Sequence, residues 1–160
     1  MHDEWYTPPP WIERARIAMG TIDLDPASCA FAQECVRASM WFDKVADGLR
    51  QPWAGNLWIN PPYSRGTIGR FVEKLIIELD DIEQAIVLTD NRLDTEWAHD
   101  LLYASDVVAF TKGRIRFYNA DGIAVSSALN GSALFYVGNR TDAFMRVFSP
   151  VCSVLEPRHR

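Results

Sequence analysis

The chain has 160 residues, 48% of them hydrophobic, which is enough for one full core and too few for two comfortable domains, so a single domain over 1–160 is expected. Its net charge of −5 argues against a generic polyanion binder, whose affinity comes from clustered Lys and Arg neutralising phosphates. No apolar run approaches the roughly 20 residues of a membrane helix, and "MHDEWYTPPP" has neither the basic start nor the apolar segment of a signal peptide, so a cytoplasmic protein that avoids membranes is expected.

"YTPPPWIERARIAMG" reads as an entry turn and a helix over residues 11–19, with Pro10 in its first turn and Gly20 as its C-terminal cap. "TIDLD" follows as a short strand. "PASCAFAQECVRAS" predicts a helix capped by Ser28 and ending near residue 38, and "MWF" a further strand before the turn "ADGL". "NLWIN" is the next strand. "GTIGRFVEKLIIELDD" then sets Ile68, Phe71, Val72, Leu75 and Leu79 at helical spacing, as a crossover helix requires.

The alternation continues through "AIVLT", a run typical of a central parallel strand, "DTEWAHDLLYAS", a helix capped by Asp94 or Thr95, and the strand "DVVAF". Beyond Gly113, "RIRFY", "NADG" and "IAVSS" predict a β-hairpin, "SALFYVG" one more strand, and "DAFMRVF" a short last helix before a polar tail. Together these predict an α/β fold: a mostly parallel sheet with an antiparallel end and helices on both faces. Cys29, Cys35 and Cys152 form no CxxC pair and read as buried thiols, giving neither a disulfide framework nor a metal site.

The stretch that carries chemistry is "LWINPPYS". Proline cannot donate to a sheet ladder, so Pro61 and Pro62 must lie just beyond the strand, in a rigid turn at its C-terminal end, where open α/β sheets bind ligands. Asn60, Pro61, Pro62 and Tyr63 at a strand end resemble the catalytic motif of S-adenosylmethionine-dependent methyltransferases that modify an exocyclic amino group. An adenine N6 lone pair is delocalised into the ring. Acceptors that hold its two N–H protons favour a more tetrahedral, more nucleophilic nitrogen, and the Asn60 side-chain oxygen and Pro61 carbonyl suit that task, with Tyr63 stacking on the base.

With "YTPP" and "DLDPAS" before it, "ADGL" between, and "NRLDTEW" and "GRIRF" after it, the order of segments resembles one family, the phage-type (Dam-like) DNA N6-adenine methyltransferases, over most of the chain. That resemblance implies a Rossmann-like S-adenosylmethionine-dependent fold, S-adenosylmethionine as cofactor, DNA as partner and a flipped target base. It implies Asp25 and Pro26 beside the methionine part of the cofactor, Thr7 and Pro8 packing on it, Asp47 at its adenosine end and Asn60 bordering it. The glycines that usually follow Asp-Pro in amino-methyltransferases are replaced here by "ASCA".

About 35 residues separate Asp25 from Asn60, which leaves no room for an inserted target-recognition segment, so short or relaxed sequence specificity is expected. Asn91 and Asp94 follow a strand that should end beside the catalytic one, which makes them candidates to line the base pocket and contact the DNA. Arg65 and Arg70 after Tyr63, and Lys112, Arg114 and Arg116 in the expected hairpin, are the candidates for DNA contact. The alternatives are the same acceptor logic applied to RNA, cytosine N4 or a protein amide, or a nucleic-acid-binding relic of the fold without catalysis.

Overall fold

The computed structural model describes residues 5–64, 66–119, 121–124 and 130–158. Five helices and seven strands follow in the order α1 (Pro9–Met19), β1 (Leu24–Asp25), α2 (Ala30–Val36), β2 (Met40–Trp41), β3 (Gly55–Ile59), α3 (Thr67–Ile77), β4 (Ile82–Asp90), α4 (Glu96–Ala104), β5 (Val107–Thr111), β6 (Ser132–Gly138), α5 (Thr141–Phe148) and β7 (Cys152–Leu155). Short 3-10 helices at Gly48–Arg50 and Leu79–Asp81 precede β3 and β4. α1 starts and stops where its proline and glycine predict: Gly20, at φ +93°, closes it by donating to the Arg16 carbonyl at 2.7 Å.

All seven strands form one sheet in the order β2-β1-β3-β4-β6-β5-β7. β1, β2, β3 and β4 run parallel; β6 is antiparallel to β4 and β5 on its two sides, and β7 is antiparallel to β5. This is the expected mostly parallel sheet with an antiparallel end. Strand alternation sends Trp58, Ile86, Leu88 and Tyr136 to the face covered by α1, α2 and α5, while Leu57, Ile59, Val87 and Phe135 pack under α3 and α4. Near the N-terminal ends of the central strands, buried Gln84 donates to Asn56 Oδ1 at 3.0 Å and to the Met19 carbonyl at 3.1 Å, and accepts from the Tyr136 hydroxyl at 2.8 Å. That satisfied network pins β3, β4, β6 and the end of α1 in one register.

Several expectations need correction. The expected polar tail contains β7, because Cys152 and Val154 turn inward while Ser153 is exposed, a period of two that a four-residue segment scarcely advertises. The expected hairpin over 112–127 falls partly outside the described residues. Its turn is present, with the Gly122 N–H on the Asn119 carbonyl at 3.0 Å, and among the described residues Tyr118 bridges Ala124 beside it. Ile115 and Phe117 are buried and Arg114 and Arg116 exposed, as alternation predicts, yet the strand-like partner of Tyr118 on its other side is Tyr6. α3 ends at Ile77 rather than near residue 81, and β4 begins at Ile82 rather than 85. Ser28 does not cap α2: Cys29 holds that position without a side-chain bond. Thr95 precedes α4, but its hydroxyl donates back to the Arg92 carbonyl.

Among the described residues no helix is long and apolar enough to cross a membrane, and no group of three or more His, Cys, Asp or Glu side chains comes together as a metal site requires.

Candidate active site

The C-terminal ends of β1, β3 and β4 lie side by side, and a cavity of about 900 Å3 opens at the ends of β1 and β3 and the segment that follows β2. Asn60, Pro61, Pro62 and Tyr63 line it as the chain leaves β3, and Asp25 and Pro26 line it as the chain leaves β1. Pro61 and Pro62 remove both amide protons from this turn. The Asn60–Pro61 and Pro61–Pro62 peptides therefore offer carbonyl oxygens and no N–H, an acceptor-only surface.

The Asn60 amide is held at both ends. Its nitrogen donates to the Trp5 carbonyl at 3.1 Å and to Thr7 Oγ1 at 3.3 Å, and its oxygen accepts from the Tyr63 hydroxyl at 3.0 Å. The Leu88 carbonyl lies 3.4 Å from that same hydroxyl. Burial, reinforced by the Asp90 carboxylate and opposed by Arg92, holds the Tyr63 phenol far above its ordinary range, so it stays neutral and keeps its proton for Asn60. Behind it, Arg92 donates to Asp90 Oδ2 at 2.7 Å and to the Tyr63 carbonyl at 3.4 Å, clasping the end of β4 to the turn after β3. Asp90 Oδ1 is buried without a hydrogen-bond partner among the described residues.

Asp25, in the same lining, is 3% exposed. Its carboxylate accepts from the Ala27 N–H at 3.2 Å and from Gln33 Nε2 at 3.0 Å; Gln33 also donates to Ser28 Oγ at 2.8 Å. Burial pushes its pKa up to about 7, and the bonds from Ser28, Ala27 and Gln33 only partly oppose that. No cation among the described residues contacts this carboxylate, so the site is a buried acid facing open volume with only neutral donors around it.

Asp47 lies in the same cavity at a left-handed φ of +51°, accepting from the Leu49 N–H at 3.2 Å and pairing with Arg50 at 3.4 Å. The glycine beside it was not singled out from sequence. A Cβ on Gly48 would lie 2.0 Å from the Pro26 carbonyl oxygen, so only glycine lets the Asp47 turn touch the Asp25 loop, and Trp53 Nε1 fixes the contact by donating to the Gly48 carbonyl at 2.8 Å. Gly48→Ala is expected to lower the melting temperature by roughly 3 to 10 °C, the scale of 1 to 3 kcal/mol of overpacking in a chain of this size. A thermal melt within a degree of wild type would show that the two loops are free to part.

Of the other residues picked out from sequence, Thr7 and Arg70 line the cavity, and Pro8 stands just outside it as the residue before α1. Asn91 and Asp94 are exposed and do not line it, nor do Lys112, Arg114 and Arg116; Arg65 lies outside the described residues. Tyr118 and Gly122 do reach the cavity wall, so the arginine-bearing segment ends there. Cys152 is buried as expected, whereas Cys29 and Cys35 are half-buried in the cavity wall, which corrects the expectation for those two.

Residues 1–153 match the sequence model of a family described as DNA N-6-adenine-methyltransferase (Dam). A DNA N-6-adenine-methyltransferase of Escherichia phage T1 is 30% identical over 99 residues, 61% of this chain and 40% of the phage protein, so the match spans about two fifths of that relative. No solved structure gives a significant match.

Proposed function

The chain belongs to the DNA N-6-adenine-methyltransferase (Dam) family, and from that premise we propose that it transfers a methyl group from S-adenosylmethionine to the N6 atom of adenine in DNA. The observation that carries this reading is the Asn60 amide, tethered through its nitrogen so that its oxygen is the free-facing end, in the residue just before the acceptor-only Pro61–Pro62 peptide. The residues fit the cofactor: a buried carboxylate without a cation, facing open volume, suits the ammonium and sulfonium charges of S-adenosylmethionine. When bound, that cofactor supplies an electrophilic methyl group on sulfur.

In this reading Asp25 and Pro26 hold the methionine end, Pro8 and the strap before α1 close over it, and Asp47 takes the adenosine end. Asn60 Oδ1 and the Pro61 carbonyl each accept one N6 proton and concentrate the lone pair toward the methyl carbon. Tyr63 serves twice: its hydroxyl orients Asn60 and its ring offers a face to the base. The base must leave the duplex stack to reach this turn, at a cost of a few kcal/mol that aromatic stacking, worth about 1 to 3 kcal/mol, partly offsets. After transfer the nitrogen is acidic and gives its proton through these acceptors to solvent.

Arg70 at the cavity rim and Arg114 and Arg116, exposed on the segment that ends at Tyr118, are proposed to contact phosphates, with Lys112 beside them. Asn91 and Asp94, exposed after β4, and Arg65, which lies outside the described residues, are proposed as further DNA contacts. The reading includes a single Rossmann-like domain over residues 1–160, short or relaxed specificity, and action in the cytoplasm. Purified protein incubated with S-adenosylmethionine and unmethylated plasmid, in duplex and single-stranded form, is expected to leave N6-methyladenine at short motifs mapped by long-read sequencing. Both forms emerging without methylated adenine would reject the assignment.

A further inference from the structure

We propose that Thr7 is a positioning residue for the acceptor amide: with the Trp5 carbonyl it fixes which way Asn60 faces, and thereby couples that acceptor to the N-terminal strap and to the arginine-bearing segment that ends at Tyr118. The inference deepens the methyl-transfer reading and rests on it for its kinetic consequences.

An asparagine amide fits its site in two orientations related by a flip, nearly identical in shape and opposite in hydrogen bonding. Only one presents an oxygen to an amino group. The Trp5 carbonyl, 3.1 Å from Asn60 Nδ2, can only accept, so nitrogen must face it; flipped, two oxygens would oppose each other. Thr7 Oγ1, at 3.3 Å, takes the second N–H. The Tyr63 hydroxyl then takes one lone pair of Oδ1, which leaves that oxygen one lone pair for an incoming donor. Both tethers of the nitrogen therefore come from a segment more than fifty residues away in sequence, rather than from the catalytic turn itself.

That segment is itself anchored. The Tyr6 N–H donates to the Tyr118 carbonyl at 2.9 Å and the Tyr118 N–H to the Tyr6 carbonyl at 3.0 Å. On the other side, the Tyr6 ring meets Phe31 edge-on at 4.7 Å and its hydroxyl accepts from the Cys29 thiol at 3.5 Å. The strap thus spans from the wall formed by α2 to the segment bearing Arg114 and Arg116, with Thr7 between. A displacement of residues 114–118 by a bound strand reaches Asn60 through two backbone hydrogen bonds and one side chain.

The test uses Thr7→Val, which keeps the shape and removes the hydroxyl, and Thr7→Ser, which keeps the hydroxyl. Thr7→Val is expected to lower kcat roughly tenfold at saturating DNA and S-adenosylmethionine, with the calorimetric Kd for S-adenosylmethionine within twofold, while Thr7→Ser stays near wild type. The Asn60 side-chain amide protons, assigned in NMR by their loss in Asn60→Asp, should exchange with water faster in Thr7→Val than in wild type or Thr7→Ser. A Thr7→Val variant with weaker cofactor binding at unchanged kcat would make Thr7 a direct cofactor contact and overturn the proposal, as would one unchanged in both. If wild type methylates no DNA, the methyl-transfer reading falls while the exchange rates still decide this one: equal rates in wild type and Thr7→Val overturn it, slower exchange in wild type and Thr7→Ser sustains it.

Discussion

Asn60→Ala is expected to lower the rate of DNA methylation by roughly 100-fold or more, the scale seen when one preorganised polar group is taken from a catalytic site. The substitution removes the side-chain acceptor and leaves the Pro61 carbonyl to hold one N6 proton alone. The lone pair then stays in the ring for longer on the path to the transition state. It also leaves the Tyr63 hydroxyl with the Leu88 carbonyl at 3.4 Å as its remaining partner and releases Thr7 and Trp5 from the turn. Asp25 and Asp47 come from other loops, so affinity for S-adenosylmethionine should stay within about threefold. Single-turnover methylation and cofactor calorimetry on the same preparation separate the two quantities. Near-normal turnover in a folded variant would sink the acceptor mechanism.

Asp25→Asn should make the protein more stable and bind its cofactor less well. An aspartate in the unfolded chain titrates near 4, whereas burial pushes the folded Asp25 to about 7. Between those two values the folded state holds more protons than the unfolded state, so stability falls as the pH rises from about 4 to about 7 and stays at its lower level above that. Asparagine carries no such penalty. Above pH 7 the variant is expected to melt several degrees higher than wild type, a difference of a few kcal/mol at most, and the two melting curves should converge toward pH 4. Cofactor binding should show the reverse. A cationic ligand draws the proton off Asp25, so wild-type affinity rises from pH 6 to pH 7.5 with proton release, while Asp25→Asn binds at least several-fold more weakly at pH 7.5 and without that slope. Equal stability at pH 8 together with equal affinity would remove Asp25 from the site.

Much of this arrangement is legible in the chain because its signals are local. "NPPY" after an apolar run can only be a turn leaving a strand, and β3 ends at Ile59 with the four residues in the cavity wall. Asp25 ends another short strand and reaches the same cavity because β1 and β3 are parallel neighbours. What is not legible depends on contacts between distant segments. Nothing in "YTPP" announces that Thr7 meets Asn60, or that Tyr6 pairs with Tyr118, since neither bond changes the periodicity of the residues that make it. Asn91 and Asp94 show the limit of that reasoning for the base pocket: they follow the strand next to β3, but adjacency of strands does not aim a side chain, and both are exposed outside the cavity wall while Asp90 and Arg92 turn toward Tyr63. Gly48 had a weak local signal, a glycine in a turn, whose reason is the Pro26 carbonyl more than twenty residues earlier.

The place of β6 bears on how the chain is made. β4 and β5 run in the same direction and leave a gap that only a later, reversed strand fills, so the middle of the sheet is the last part of it to be synthesised apart from β7. A nascent chain that has emerged through Thr111 carries both gap-flanking strands with open ladders and with Ile86, Leu88, Val107 and Ala109 lacking Leu134 and Tyr136 against them. Such edges invite pairing with another chain. Ribosome-stalled fragments that stop before residue 132 should therefore depend on chaperones, and the step that commits the protein to its fold is the insertion of one segment between two strands already waiting for it.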